Sequence, residues 1–413
     1  MLGGQHFSPF TTDEIADGRE RAFANRLVTA ALRRWAHLDL ILEILLVRGL
    51  PKKAPRFEAV LRLALAELLF LPQSADHAAI HLAVEAIKAN PRTRHLAGLA
   101  NASLRAAQTR REDFFALDPL LALPEPVRAR WQPVYGDPAL AAFAEALLTA
   151  PPLDLSLKAQ APGLEALPGA TALSGPGLRL YERDGPVESL PGFAEGDFWV
   201  QDAAAAIPAR LIGLPAGARI LDLCAAPGGK TAQLCAAGHD VTALDADAAR
   251  LARLAANMQR LGFAPRIVEA DALTFTDPDL FDAVLLDAPC SATGTFRRHP
   301  EVLHQTRPAD IAGRAALQRR LIAHASALLR PGGTLIYCVC SLEPEEGEAQ
   351  AGWIAANLPE LAPNPIAPTE LPGLESTLAP SGHVRTHPGL SPSGIEGGMD
   401  GFFLARFRRH PQP

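Results

Sequence analysis

The sequence has few of the features that would place a protein outside the cell or in a membrane. Its 413 residues include five cysteines, Cys224, Cys235, Cys290, Cys338 and Cys340. Their odd number argues against a disulfide framework, and they show no spacing typical of metal ligands. No apolar run is long enough to span a bilayer, and the start MLGGQHFSPF lacks the basic and apolar regions of a signal peptide. We therefore expect a cytoplasmic protein with free thiols, no metal and no membrane contact.

The sequence also lacks an excess of positive charge. Its net charge of -6 gives no general attraction to polyanions, so any contact with nucleic acid needs local basic clusters. Such clusters occur early in the chain, at Arg33-Arg34, Lys52-Lys53, Arg92-Thr93-Arg94 and Arg110-Arg111. Any one of them is better explained as a solvated face. Their number within one small region favours an RNA-binding surface.

Residues 1–150 have the spacing of buried helical stripes. Apolar residues recur at i, i+3, i+4 and i+7 from Ile80 to Ile87, and Asp76 is a candidate N-cap. The segment FEAVLRLALAELLFL is apolar almost all round, which is typical of a central helix. This region is predicted to be an all-α bundle.

The remaining chain changes character twice. Within residues 151–200, PPLDLSLKA and GLRLYERDG alternate like strands and predict a small α/β linking subdomain. In residues 201–413, the strand-like segments RILDLC, DVTALD, PRIVEAD, FDAVLLDAPC and GGTLIYCVC alternate with helices, one ending at Gly262. This alternation predicts a doubly wound, mostly parallel sheet. Residues 358–398 lack periodicity and predict a long loop before a closing strand, FFLARFRR.

The loop in ILDLCAAPGGKT lacks the glycine that a P-loop requires. A P-loop places that residue five positions before its Gly-Lys pair, and here the position holds Cys224. Gly228 and Gly229 still let the backbone approach a ligand closely, at the start of a helix that favours a negative group. The loop therefore predicts a ligand other than a nucleoside triphosphate.

Acidic residues end the next strands of this sheet. Asp245 can accept the hydroxyls of a ribose, Asp271 can meet an adenine edge, and Asp287 ends the fourth strand. One glycine loop with three such acids predicts a nucleoside site. From this pattern alone, S-adenosylmethionine and a dinucleotide both remain possible.

Two cysteines follow strands at the same edge of the sheet. Cys290 follows the fourth strand, and Cys340 ends GTLIYCVC, on the same face as Cys338. A thiolate adding to carbon 6 of a pyrimidine makes carbon 5 able to attack a methyl group. Asp287 could hydrogen-bond the N3 edge of that base. Pro344 and the acids after it predict a first helical turn.

These segments resemble a known family. LDLCAAPGGKT, LDAPCSATGTFRRHPE, CSLEPEE and GMDGFFLARF resemble the RsmB-like (Sun/Nop type) RNA cytosine-5 methyltransferases. NRLVTAALRRW, VLRLALAELLFL and LANASLRAA resemble the NusB-like RNA-binding domain that RsmB proteins carry. The resemblance implies a NusB-like helical bundle in residues 1–150, the linking subdomain in 151–200 and a Rossmann-like class I methyltransferase domain in 201–413.

The resemblance also implies roles by position. S-adenosylmethionine would be bound by Cys224, Ala225, Ala226, Pro227, Gly228, Gly229, Lys230, Asp245, Asp271 and Asp287. Cys340 would be the nucleophile, Cys290 would assist product release, and Asp287 would act on the base. Lys230, Arg297 and Arg298 would contact RNA, the arginines by gripping phosphates. The sequence departs from the usual Thr-Cys-Ser motif, because Val339 removes a hydroxyl beside the nucleophile.

The expected function is methylation of carbon 5 of a cytosine in RNA, with 16S rRNA as the substrate and a monomer as the active form. A flipped cytosine favours single-stranded or loop RNA. Two alternatives remain, the same chemistry on tRNA and a non-catalytic RNA-binding assembly factor.

Overall fold

The computed structural model describes residue 7 and residues 9–71, 76–158, 162–181, 185–390 and 396–411. It divides into two compact units. The first consists of Met1–Thr149 with His299–Gln305, and the second of Ala150–Arg298 with Thr306–Pro413. Within the described ranges, no helix is both long enough and apolar enough to cross a membrane.

The helices are α1 (Gly18–Arg33), α2 (Trp35–Leu45), α3 (Pro55–Phe70), α4 (Asp76–Lys88), α5 (Ala97–Thr109), α6 (Arg111–Phe115), α7 (Glu125–Leu148), α8 (Pro162–Glu165), α9 (Ile207–Arg210), α10 (Gly229–Ala236), α11 (Ala248–Leu261), α12 (Val302–Gln305), α13 (Pro308–Ala327) and α14 (Glu348–Asn357). The strands are β1 (Leu153–Leu157), β2 (Ala170–Ala172), β3 (Gly177–Leu180), β4 (Phe198–Val200), β5 (Arg219–Leu223), β6 (Asp240–Asp245), β7 (Arg266–Glu269), β8 (Phe281–Asp287), β9 (Leu329–Val339), β10 (Leu361–Pro363), β11 (Val384–Thr386) and β12 (Phe402–Arg409).

The first unit is helical, as predicted, and α3 lies at its centre. Phe57, Leu61 and Leu65 on this helix are completely buried. Arg62 on the same helix is also buried, and its guanidinium pairs with Asp39 at 2.6 Å. A buried cation is tolerated because its charge is paired.

Asp76 differs from its predicted role as an N-cap. It is the first residue of α4, and its carboxylate accepts hydrogen bonds from Gln108 Nε2 at 3.0 Å and Arg111 Nη2 at 2.5 Å. The side chain therefore ties α4 to α5 and α6. Its partners lie more than thirty residues away, which a local capping pattern cannot indicate.

A small antiparallel sheet precedes the main one. Its order is β2-β3-β1-β4, and β1 and β3 are the two strands that the alternating segments predicted. Arg179 on β3 is completely buried and forms a two-pronged pair with Asp154 on β1, at 2.7 and 2.8 Å. This pair spans neighbouring strands and satisfies both buried charges.

The main sheet confirms the doubly wound, mostly parallel prediction. Its order is β10-β12-β9-β8-β5-β6-β7, with β11 also paired to β12. The pairs from β9 to β7 are parallel, whereas β12 is antiparallel to β9. The chain progresses from β5 to β7 in one direction and then returns to β8 on the other side of β5. The sheet therefore has a switch point between β5 and β8, where ligands bind in such folds.

Both faces of the main sheet are buried. Leu221 and Leu286 belong to the apolar cluster that includes residues of α13 and α14, and Ile220 and Leu285 belong to the cluster on the opposite face. Cys338 and Cys340 share that second face, while Tyr337 and Val339 belong to the first, as the period of two predicted.

The α11 helix also matches its prediction. Asp247 caps it by accepting a hydrogen bond from the Arg250 backbone nitrogen at 2.9 Å, and Gly262 ends it with a φ of 70°. A left-handed residue at this position is most easily a glycine.

The prediction of one long loop over residues 358–398 is wrong. The described part of this segment contains β10, β11 and short 3₁₀ turns at Pro368–Glu370 and Glu375–Thr377. Ile366, Leu371 and Leu374 are buried in the second apolar cluster. Strands of three residues that pair with a distant β12 leave no local periodicity for a sequence pattern to detect.

Candidate active site at the switch point of the sheet

The loop between β5 and α10 has the backbone geometry of a close ligand approach. Cys224 and Gly228 have φ values of 61° and 102°, and α10 begins directly afterwards at Gly229. A Cβ atom on Gly228 would lie 2.9 Å from Leu254 Cγ, so this position requires glycine. Burial, followed by the charge of Asp245, raises the pKa of the Cys224 thiol to about 12, so this cysteine stays protonated.

A cavity of about 570 Å³ lies on one side of this loop. It brings together three predicted residues, Cys224, Asp245 and Asp271. Its other lining residues are mainly apolar, including Leu244, Ala246, Ala272, Leu273, Pro289, Leu317 and Leu321. The volume and the few polar groups are typical of a small-molecule site.

Two of the three acids that line this cavity, Asp245 and Asp271, differ in exposure. Asp245 is buried and accepts hydrogen bonds from the backbone nitrogens of Ala226 at 3.2 Å and Asp247 at 3.1 Å. Asp271 is exposed and accepts one from the Leu273 nitrogen at 2.9 Å. Asp245 therefore fixes the loop, while Asp271 presents its carboxylate at the rim.

A second cavity, of about 480 Å³, lies along the other side of the loop. Its lining includes every predicted loop residue, namely Cys224, Ala225, Ala226, Pro227, Gly228, Gly229 and Lys230. It also includes Asp222, Asp287 and Arg298. Charged groups of both signs thus line this cavity.

Lys230 and Asp287 form an ion pair between the loop and the end of β8. Lys230 Nζ lies 2.8 Å from Asp287 Oδ2 and 5.0 Å from the centre of the Phe402 ring. Burial lowers the pKa of Lys230, but the Asp287 carboxylate more than offsets this, and the net effect raises it. The pair therefore ties the loop to the end of β8.

The structure brings Cys290 and Cys340 into contact. Their Sγ atoms are 3.5 Å apart, and both residues are partly exposed. The hydrogen bond with Cys340, and then burial, raise the pKa of the Cys290 thiol well above its ordinary value. Cys290 therefore keeps its proton and can donate it toward the Cys340 sulfur.

The other cysteines lie apart from this pair. Cys338 is completely buried, with its Sγ 3.7 Å from Asp287 Oδ1, and burial and then that carboxylate raise its pKa well above the ordinary value. Cys338 is therefore a packing residue of the second apolar cluster. Burial likewise raises the pKa of the Cys235 thiol, to about 12.

Arg297 does not fit its predicted role as a phosphate ligand. It is 2% exposed, and its guanidinium lies 2.9 Å from Asp202 and 3.3 Å from Asp400. Both carboxylates are buried, so Arg297 neutralises them instead of facing solvent. Arg298 also contacts Asp400, but its side chain is 33% exposed and lines the second cavity, where RNA could reach it.

The basic clusters of the helical unit also include both side chains that bond within the protein and side chains that are exposed. Arg33 donates to the Leu147 carbonyl at 2.7 Å, and Arg111 donates to the Leu68 carbonyl at 2.7 Å. The side chains of another group are exposed, namely Lys52, Lys53, Arg92 and Arg94. An RNA surface on this unit therefore stays a prediction for the exposed group.

Two buried acids near the site escaped the sequence analysis. Asp222 is fully buried, accepts from Thr231 Oγ1 at 2.6 Å and lines the second cavity. Glu346 is fully buried and accepts hydrogen bonds from Ser291 and Ser341. Glu346 lies in CSLEPEE, where the sequence pattern indicated only a helical turn for this acid. The turn predicted at Pro344 is not the start of a helix, since α14 begins at Glu348.

No group of three or more His, Cys, Asp or Glu side chains that could hold a metal ion occurs among the residues that the structure describes.

The chain is similar to known proteins over both units. Residues 210–408 match the family described as 16S rRNA methyltransferase RsmB/F, and residues 6–109 match the NusB family. A protein of Xanthomonas campestris pv. campestris named ribosomal RNA small subunit methyltransferase B is 41% identical over 353 residues, which cover 81% of this chain and 79% of the relative. The protein of the same name from Thermus thermophilus is 36% identical over 393 residues, which cover 95% of this chain and 89% of the relative.

A solved structure supports the fold. That of a methyltransferase homolog protein from Pyrococcus horikoshii shares 26% identity, with a TM-score of 0.57, and covers 71% of this chain and 98% of that one. The chain belongs to the RsmB/F family of 16S rRNA methyltransferases, with a NusB-family region at its N-terminal end.

Proposed function

We propose that this protein transfers a methyl group from S-adenosylmethionine to carbon 5 of a cytosine in 16S rRNA. It acts as a cytoplasmic monomer through a covalent bond between Cys340 and the base. The observation that carries this proposal is the contact of two thiols at 3.5 Å, one of them next in the chain to Pro289, which lines the first cavity. The names of the similar proteins support ribosomal RNA of the small subunit as the substrate.

The first cavity fits the nucleoside part of S-adenosylmethionine. Its volume of about 570 Å³, its apolar walls and the acids Asp245 and Asp271 suit an adenine and a ribose. Asp245 would accept ribose hydroxyls and Asp271 would meet the adenine edge, while the loop from Cys224 to Lys230 would lie along the rest of the molecule. When bound, S-adenosylmethionine supplies an electrophilic methyl group.

Cys340 is the nucleophile in this proposal. As a thiolate it adds to carbon 6 of the cytosine, and the electron density moved to carbon 5 makes that atom nucleophilic. After methylation a base removes the proton from carbon 5, and the bond between carbon 6 and sulfur breaks. Cys290, which carries a proton of its own, lies where it can donate that proton to the departing sulfur.

Asp287 and Lys230 would hold the target base. Both line the second cavity, and the carboxylate can accept a hydrogen bond from the amino group of a cytosine, and from N3 while that atom is protonated in the covalent adduct. Lys230 keeps Asp287 oriented through its 2.8 Å pair. Arg298, at the same cavity, supplies a cation for a neighbouring phosphate.

Two other functions are distinguishable from this one. The same chemistry could act on tRNA, and a non-catalytic assembly factor could retain the fold. The retained thiol pair argues against the second, because binding alone does not need two sulfurs in contact. The NusB-family region argues against tRNA as the substrate.

The test is a methylation assay with labelled S-adenosylmethionine, using 16S rRNA and total tRNA from a strain that lacks the gene. We expect label in the 16S rRNA of the wild-type reaction and a single cytosine protected from bisulfite conversion. Label in tRNA alone would show that the substrate is tRNA and not 16S rRNA. No label in either RNA, with RNA binding intact, would favour the assembly factor.

Cys340→Ala and Cys235→Ala form a matched pair in this assay. Cys235 lies on α10 outside the thiol pair. Loss of methylation is expected only for Cys340→Ala, with affinity for the cofactor retained in both. Equal turnover of the two variants would exclude Cys340 as the nucleophile.

A further inference from the structure

The two contacting cysteines share a local pattern, since each is followed by a serine. Ser291 follows Cys290 after β8, and Ser341 follows Cys340 after β9. The carboxylate of Glu346 accepts hydrogen bonds from the Ser291 backbone nitrogen at 3.0 and 3.1 Å and from Ser341 Oγ at 2.6 Å. One side chain thus joins the two turns that carry the thiols.

This junction is itself held firmly. The hydroxyls of Ser291 and Ser341 lie 3.0 Å apart, and Gln318 Nε2 donates to Glu346 Oε1 at 3.1 Å. The Tyr337 hydroxyl donates to the Glu346 backbone carbonyl at 2.6 Å. Glu346 is 0% exposed, so water does not compete for these bonds.

The burial of this acid needs a physical reason. A carboxylate removed from water is strongly destabilising unless charged or polar partners compensate for the lost hydration. Here hydrogen-bond donors from both turns surround it, and bonds to a charged acceptor are stronger and more directional than neutral ones. A junction of this kind restricts the two turns to one relative position.

We propose that Glu346 is a positioning residue that holds the turns after β8 and β9 together, so that the sulfurs of Cys290 and Cys340 stay in contact. It is 0% exposed and lines neither cavity, so it acts through the two turns. Its effect on turnover rests on the proposed function, whereas its effect on the distance between the thiols does not. Its charge also contributes to the raised pKa of Cys290, after the Cys340 hydrogen bond and burial.

The first experiment measures the thiol pair without any RNA. Diamide oxidises two neighbouring thiols to a disulfide and takes up their two protons and two electrons. The rate at which the Cys290–Cys340 disulfide forms is followed by mass spectrometry of the digested protein. We expect Glu346→Gln to slow this rate at least tenfold. The amide has one acceptor oxygen where the carboxylate has two, and its NH2 group would face the donors of Ser291 or Ser341.

The matched control is Glu345→Gln. This residue precedes Glu346 in the chain and is exposed, so the variant makes the same chemical change outside the junction. We expect it to form the disulfide at the wild-type rate. An equal rate for Glu346→Gln and Glu345→Gln would overturn the proposal.

The second experiment separates positioning from binding by steady-state kinetics on 16S rRNA. A loss of at least tenfold in kcat is expected for Glu346→Gln, with KM for both substrates unchanged. A raised KM with wild-type kcat would contradict a positioning role. If the wild-type protein forms the disulfide rapidly and methylates no RNA, the proposed function fails while the role of Glu346 at the thiols stands.

Ser341→Ala keeps the proposal testable if Glu346→Gln fails to fold. It removes one hydroxyl, which donates to Glu346 and contacts the Ser291 hydroxyl, and leaves the carboxylate and its hydrogen bond from the Ser291 backbone nitrogen in place. We expect a smaller reduction of both rates, of roughly threefold, in the folded variant. Wild-type rates in Ser341→Ala would also overturn the proposal.

Discussion

Replacing Arg297 by methionine tests whether this residue serves stability or RNA binding. Its guanidinium is 2% exposed and is the partner of Asp202 and Asp400, which are themselves buried. Removing one partner of a buried ion pair typically costs about 3–5 kcal/mol, because a buried charge is left uncompensated. A change of this size lowers the melting temperature of a domain of 150–250 residues by roughly 6–20 °C.

The effect of Arg297→Met depends on pH. Burial raises the pKa of Asp400 to about 6, although Arg298 and Arg297 oppose that rise. A carboxyl group with a raised folded pKa contributes stability at low pH that is lost as the pH rises through that value. Without Arg297 the pKa of Asp400 rises further, so we expect a larger deficit at pH 8 than at pH 5.

The melting temperature by scanning calorimetry and the affinity for RNA are both measured on the full-length Arg297→Met protein. The exposed Arg320, on α13, provides the control, and Arg320→Met is expected to change stability by less than about 0.5 kcal/mol. RNA affinity at a temperature where Arg297→Met is folded should match the wild type. A wild-type melting temperature combined with weakened RNA binding would refute the structural role of Arg297.

Other substitutions give separate tests. Burial raises the pKa of Asp222 to about 7, so the stability that its neutral form contributes is lost as the pH rises from about 4 through that value. Asp222→Asn should therefore raise the melting temperature more at pH 8 than at pH 5. An equal change at both pH values would contradict this. Gly228→Ala places a Cβ at 2.9 Å from Leu254 Cγ in a left-handed conformation, and should cost roughly 1–3 kcal/mol and weaken S-adenosylmethionine binding in calorimetric titration. Lys230→Met removes the partner of Asp287 and should lower kcat by about 10²-fold; an unchanged kcat would exclude a role for this pair.

The sequence predicted elements whose evidence is local. The alternation of β5 to β9 with helices follows from apolar residues on both faces of the sheet, and it correctly predicted a doubly wound, mostly parallel sheet. Gly262 and the strand-end positions of the acids and cysteines are also local features. These local features were sufficient to predict that Cys290 and Cys340 lie at the same edge of the sheet.

The sequence could not predict features that depend on distant partners. Arg297 resembled a phosphate ligand because it lies close to Cys290 in the chain, but its acidic partners lie 95 and 103 positions away. The strands β10 and β11 exist because β12 pairs with them. Glu346 joins two turns across 55 residues, and no periodicity signals such a contact.

The central claim is that Cys340 bonds to the target cytosine while Cys290 assists its release. The most direct measurement is mass spectrometry of Cys290→Ala after incubation with 16S rRNA and S-adenosylmethionine. The account predicts an adduct stable on a denaturing gel, with the modified nucleotide on the peptide that contains Cys340, and no adduct in the Cys290→Ala/Cys340→Ala double variant. A nucleotide attached to Cys338 or Cys224, or an adduct that persists in the double variant, would contradict it.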